Sequence, residues 1–361
     1  MTSIHPLTGA KAALATITLL LGSSAHALVG TCNWHNSIPG PMSFAADFNT
    51  VWIPRDAPVG TPIAQRSFNS VDTGGREARC YNDGASRLDV YIDNVPPLLP
   101  APPARFGSGL NAARIIQTNI TGVGAQITLG IPFDGASNNS FRPANGDQHV
   151  PYQGYNDWNV TPVPIQVNRL RTTITLVKTG PIAPGPQPLD QEMLRGRMTD
   201  IPDALTFRLR GVINQAQCTL KADAVSANPV QLGDHDLSHF SGKGTTTMAV
   251  PFFIMLNDCE DDPGNITARA HIRLDGRNGS MPLDPDLGLF SLTSDSTAEG
   301  IGIQMLASDG ITPMVLNRDV PVIGLSIPNT RLDFHARYFQ HEDSVKPGLA
   351  KGTLSFTISY R

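Results

Sequence analysis

The eight residues before the final Arg361 alternate without a break: Leu354, Phe356, Ile358 and Tyr360 are apolar, while Thr353, Ser355, Thr357 and Ser359 are small and hydroxylated. A period of two sends successive side chains to opposite faces of an extended chain, so this segment buries one face only as a β-strand. The pattern recurs along both halves. In the first half it appears at Leu88, Val90 and Ile92, and again at Ile127, Leu129, Ile131 and Phe133. In the second half it appears at Leu205, Phe207 and Leu209, at Met248, Val250, Phe252, Ile254 and Leu256, at Ile301, Ile303 and Met305, and at Leu332, Phe334, Ala336 and Tyr338. Helical spacing is scarce, so the chain is expected to be all-β.

Many short strands need many turns, and the composition supplies them. Gly 33 and Pro 30 among 361 residues are well above ordinary usage, and charged residues, at 16%, fall below the roughly 25% of a typical soluble domain. The net charge of -4 leaves no basic field for a phosphate backbone, which excludes nucleic acid as a partner. From Pro181 to Pro188 four prolines and a glycine interrupt any ladder, which sets a domain boundary. Lys11, the apolar run Ala12 to Leu21 and the small-x-small site Ala25-His26-Ala27 have the form of an export signal. No other stretch has the length of a membrane span, so no membrane insertion is expected. The expected organisation is a signal peptide at 1–27, an N-terminal domain at 28–179, a Pro-rich linker at 180–203 and a C-terminal domain at 204–361.

All four cysteines, Cys32, Cys80, Cys218 and Cys259, lie in the exported part, where thiols pair. Three pairings are open, and spacing favours Cys32 with Cys80 and Cys218 with Cys259. No Cys-x-x-Cys occurs, and His235 with His239 sits in a loop context, so neither a metal site nor a cofactor is expected. The acidic run Asp258, Glu260, Asp261 and Asp262 has no calcium-loop spacing. No Gly-x-Ser-x-Gly elbow is present, and no catalytic residues are expected. A β-sandwich glycosidase using a carboxylate pair is the enzyme alternative, which turnover of a glycan would support.

Residues 204–361 resemble the pilin domain of chaperone-usher fimbriae. The likeness is carried, in order, by Gly211-Val212-Ile213 with Cys218-Thr219-Leu220, by the strand from Phe252 to Cys259, and by Gly300-Ile301-Gly302-Ile303-Gln304-Met305-Leu306 with Asp309-Gly310. It continues through Leu332-x-Phe334-x-Ala336-x-Tyr338, Val345-x-Pro347-Gly348-x-Ala350 and the terminal Phe356-Thr357-Ile358-Ser359-Tyr360. The close of the first half, Val163 to Val167 and Leu176 to Pro181, is similar to the lectin domains of type 3-like fimbrial adhesins. The resemblance implies two immunoglobulin-like sandwiches in tandem, the second lacking a strand and needing a donor strand from a neighbour. It implies as partners a periplasmic chaperone, an outer-membrane usher and an adjacent subunit, with Leu354, Phe356, Ile358 and Tyr360 lining the groove. Only Leu28 to Thr31 stand between the cleavage site and Cys32, whereas spanning a sandwich takes an arm of about ten residues. A subunit that accepts a strand without giving one is expected at the fimbrium tip on the bacterial surface, as an adhesin.

For the receptor, a host or surface glycan or a matrix protein, the sequence offers aromatic and amide side chains of the kind that hold sugars. The densest cluster is Tyr152, Tyr155, Asn156, Asp157 and Trp158; Trp34 and Trp52 form a second group. Core packing is the competing reading for each of these aromatics. A tip cap that starts assembly and binds nothing is the competing reading for the whole chain.

Overall fold

The computed structural model describes residues 1–3, 30–100, 109–160 and 162–361. Apart from its first three residues, the expected export signal lies outside them, as do Leu28 and Val29. Strands dominate, and helix is confined to three short 3-10 turns among the described residues. The alternating segments fold as their pattern dictates. Leu88–Asn94 buries Leu88, Val90 and Ile92 completely, while Asp89, Tyr91 and Asp93 face outward.

Two hydrophobic cores form. The N-terminal one encloses Phe48, Phe133, Phe141 and Phe207 and runs through to Ile213. The C-terminal one begins at Ala216 and encloses Ile254, Leu274, Leu332 and Phe334. A disulfide anchors each: Cys32 to Cys80 within paired strands of the first, and Cys218 to Cys259 in the second. This is the pairing expected from spacing.

The boundary differs from the expected linker. Gln187–Met198 is a strand of the N-terminal sandwich, paired with Leu88–Asn94 on one side and with Ile201–Thr219 on the other. Pro181, Pro184 and Pro186 therefore precede an internal strand that includes Pro188, and no linker spans 180–203. The two cores instead meet within the single strand Ile201–Thr219, here the shared strand. Its first part pairs in parallel with Met42–Pro54, and its last residues pair with Val250–Glu260. One 11-stranded sheet thus passes through both sandwiches.

The second face of the C-terminal sandwich has three strands, in the order Val320–Gly324, Arg269–Gly276, Leu354–Tyr360. The terminal strand Leu354–Tyr360 is at the sheet edge and, among the described residues, has Arg269–Gly276 as its one strand partner. Leu354, Phe356 and Ile358 pack against the core yet stay half-buried, and Tyr360 alone is enclosed.

Candidate functional site

Two regions could meet a partner. The first is the outer face of the N-terminal sheet. In Tyr152–Asn156, Tyr152 and Asn156 send their side chains inward, Gly154 lies buried on the same face, and Gln153 and Tyr155 face outward. Tyr152 is 2% exposed, packs edge-on against Phe133 at 5.9 Å and donates to the Phe141 carbonyl at 3.2 Å. Burial pushes its phenol pKa up. Asn156 is fully enclosed, donating to the carbonyls of Asn138 and Ser140 and accepting from the Trp158 N–H. Neither has atoms left for a receptor, which corrects the expectation for both. The corrected role is structural: Asn156 ties down the loop that carries Trp158.

Tyr155, Asp157 and Trp158 do come together, around an arginine that sequence reading did not single out. Arg142 stands opposite Tyr155 in register, with its guanidinium 4.8 Å from the Tyr155 ring centroid and 4.3 Å from that of Trp158. It is paired with the Asp157 carboxylate, and its enclosed Nε has no partner among the described residues. Arg87 covers Tyr155 at 4.2 Å and holds Asp89 at 2.9 Å. One strand over, Arg197 lies 3.7 Å from the Tyr91 ring, beside a cleft of about 340 Å³ lined by Asp89, Tyr91, Thr199 and Asp200. Each exposed cation-ring contact is worth about 0.5–1 kcal/mol. The result is a preordered face of rings, guanidiniums and carboxylates, suited to hydroxyl-rich or amide-rich ligands. Trp34 lies in a different sheet, in Thr31–Trp34, and Trp52 packs against the C-terminal core; neither joins this cluster.

Among the described residues, no nucleophile with a supporting base stands on this face. His149 has one ring nitrogen against Asp147 at 2.5 Å and the other against Gln126 at 3.0 Å. His235 and His239 meet edge to face at 5.7 Å, and no group of three metal-ligating side chains occurs among the described residues.

The second region is the open edge of the terminal strand. Antiparallel pairing turns alternate residues toward the neighbouring strand. Arg361 and Arg269 exchange N–H···O bonds at 3.1 and 2.8 Å, so Ser359, Thr357 and Ser355 also face Arg269–Gly276. The N–H and C=O groups of Leu354, Phe356 and Ile358 then face the empty side. Tyr360 differs from the expectation that grouped it with these three. Its hydroxyl donates to the Cys218 carbonyl at 3.0 Å, and its backbone is engaged by the Arg55–Asp56 turn. Burial raises the Tyr360 pKa.

That turn is held on every side. Lys178 is buried and donates from Nζ to the Arg55 carbonyl at 2.6 Å. The Arg55 guanidinium bonds the Asp56 carboxylate at 2.9 and 3.1 Å and lies 4.7 Å from the Tyr360 ring. Burial works to raise the Asp56 pKa. Hydrogen bonds from Arg55 and the Tyr360 N–H, with the charges of Arg55 and Lys178, outweigh it and hold the carboxyl below its ordinary 3.8. Burial lowers the Lys178 pKa, against the pull of Asp56.

The sequence model of the Fimbrial protein family matches residues 207–361. The chain is 30% identical to the uncharacterized fimbrial-like protein SfmA of Escherichia coli K12 over 169 residues, 46% of this chain and 89% of that protein. Among solved structures it is similar to the CupB6 tip adhesin from Pseudomonas aeruginosa, at 14% identity and a TM-score of 0.35, covering 91% of this chain and 93% of that one. It is also similar to the receptor binding domain of the adhesin MrkD1P of Klebsiella pneumoniae, at 15% identity and a TM-score of 0.34, covering 53% of this chain and 99% of that one.

Proposed function

We propose that this chain, which belongs to the fimbrial protein family, is a two-domain tip adhesin of a chaperone-usher fimbrium, exported through the periplasm to the bacterial surface. The observation that carries this reading is the shared strand. The C-terminal sandwich has an open edge at Leu354–Tyr360, yet the segment leading into its first strand is already the last strand of the N-terminal sandwich. That sandwich can take a strand and has no loose arm directly ahead of it to give, which suits a terminal position. A periplasmic chaperone and then the adjacent subunit fill the edge, with the usher as the route of export. The role is one of attachment without chemistry, matching a binding face that has rings and paired charges but no nucleophile.

Strand acceptance predicts a gain in stability on binding. A synthetic peptide carrying the N-terminal segment of another subunit of the same fimbrium is expected to stabilise the full chain by about 2.7 kcal/mol at one hundred times its Kd. Differential scanning calorimetry would read this as a rise of several degrees in the C-terminal transition; an unmoved transition overturns the reading.

The receptor reading places a host or surface glycan or matrix protein on the Tyr155–Arg142–Trp158 face. Arg142→Ala removes the group that orders both rings and Asp157, and is expected to weaken receptor binding about tenfold or more. Glycan and matrix-protein arrays, with a melting curve as control, measure the effect. If the wild-type chain binds nothing while the fimbrium still assembles, the role is that of an assembly-initiating cap.

A further inference from the structure

The turn that leaves the Met42–Pro54 strand sits between the shared strand and the open edge of the terminal strand. On one side the Arg55 N–H donates to the Ala216 carbonyl of the shared strand at 3.1 Å. On the other, the Asp56 N–H donates to the Tyr360 carbonyl at 3.0 Å, and the Asp56 Oδ2 accepts the Tyr360 N–H at 2.8 Å. Both outward backbone groups of Tyr360 are thus taken by the N-terminal domain of the same chain. The next outward-facing residues, Ile358, Phe356 and Leu354, have no such partner among the described residues.

We propose that the Arg55–Asp56 turn is a built-in end stop for the strand that enters this edge. The occupant is an extended segment of another protein with apolar side chains at alternate positions; it pairs with Leu354, Phe356 and Ile358 and ends against Asp56. The half-buried side chains of those three residues supply the apolar contact, and their backbone groups supply a pairing length of about 17 Å at 3.4 Å per residue. The stop is firm because Lys178 fixes the Arg55 carbonyl, Arg55 fixes the Asp56 carboxylate, and Trp52, three residues earlier on the preceding strand, packs against the C-terminal core. It is positioned by the N-terminal fold, so the two sandwiches together define where an incoming strand must end. This inference rests on the strand-accepting reading above.

Residue-resolved amide hydrogen exchange on the full chain tests it, with a ten-residue synthetic peptide of alternating valine and threonine as the probe. In the free wild-type chain the Tyr360 amide is expected to exchange at least tenfold more slowly than those of Phe356 and Ile358. Asp56→Ala is expected to erase that difference while Thr357 and Ser359, bonded to the neighbouring strand, stay protected and report an intact fold. Adding the peptide should protect Phe356 and Ile358 and leave Tyr360 unchanged in the wild type, and should protect all three in Asp56→Ala. A Tyr360 amide as fast as Ile358 in the free wild-type chain overturns the stop, whatever the peptide does. So does peptide-induced protection that reaches Tyr360 in the wild type, since the turn has then been displaced. A peptide that protects none of the three in either chain, with Tyr360 slow throughout, overturns strand acceptance and reduces the turn to a domain contact.

Discussion

Replacing Cys218 and Cys259 together by alanine is expected to destabilise the C-terminal sandwich by about 4 kcal/mol. The bridge closes a loop with a sequence separation of 41, and releasing such a loop enlarges the unfolded ensemble by about that amount. The native state offers little to offset the loss. The three-stranded face of this sandwich leaves Leu354, Phe356 and Ile358 half-buried, so the core lacks the apolar burial that a closing strand would add. The bridge also joins the shared strand to Val250–Glu260, where only Gln217 with Glu260 and Thr219 with Asn257 pair in register. The Tyr360 hydroxyl hangs on the Cys218 carbonyl, so the terminal strand loosens with it. Chemical denaturation of the oxidised wild type against the double variant measures the difference. A change below about 1 kcal/mol would mean that the strand pairing holds this region alone.

The strands were legible wherever one parity stayed apolar, as at 354–360, and the disulfides followed from spacing. The strand Gln187–Met198 was not legible, for a specific reason. Leu189 and Met193 face the core, then a register shift between Glu192 and Leu194 turns Leu194, Gly196 and Met198 to the same side. The bulge reverses the parity partway, so no single period of two covers the segment, and its prolines suggested a break. The cluster around Arg142 shows the converse. The strand Tyr152–Asn156 sends Tyr155 out and Tyr152 and Asn156 in, with Asp157 exposed just after it, so five residues adjacent in sequence divide between a face and a core. Arg142, separated from Asp157 by 15 residues, had no local signal, and Asp56 meets Tyr360 across 304 residues. Contacts of that reach follow from how two sandwiches share one strand, which no window of sequence contains.

The shared strand also makes a direct prediction about how far the two sandwiches act as separate units. Phe207→Ala removes a fully enclosed ring from the N-terminal core and is expected to cost about 3–5 kcal/mol. Two distinct cores predict two calorimetric transitions, with the N-terminal one falling on the order of 10 °C and the C-terminal one holding. The terminal strand should nonetheless register the loss. Its last residue is capped by Asp56, and the turn bearing Asp56 is held by Lys178 and by Met42–Pro54, both part of the weakened sandwich. The Tyr360 amide is therefore expected to lose protection in Phe207→Ala at temperatures where Thr357 and Ser359 keep theirs. Phe334→Ala, which opens the C-terminal core beside Phe252, should show the reverse order of transitions. A single transition that moves as a whole in both variants would make the chain one cooperative unit, with the sheet through Ile201–Thr219 carrying the coupling.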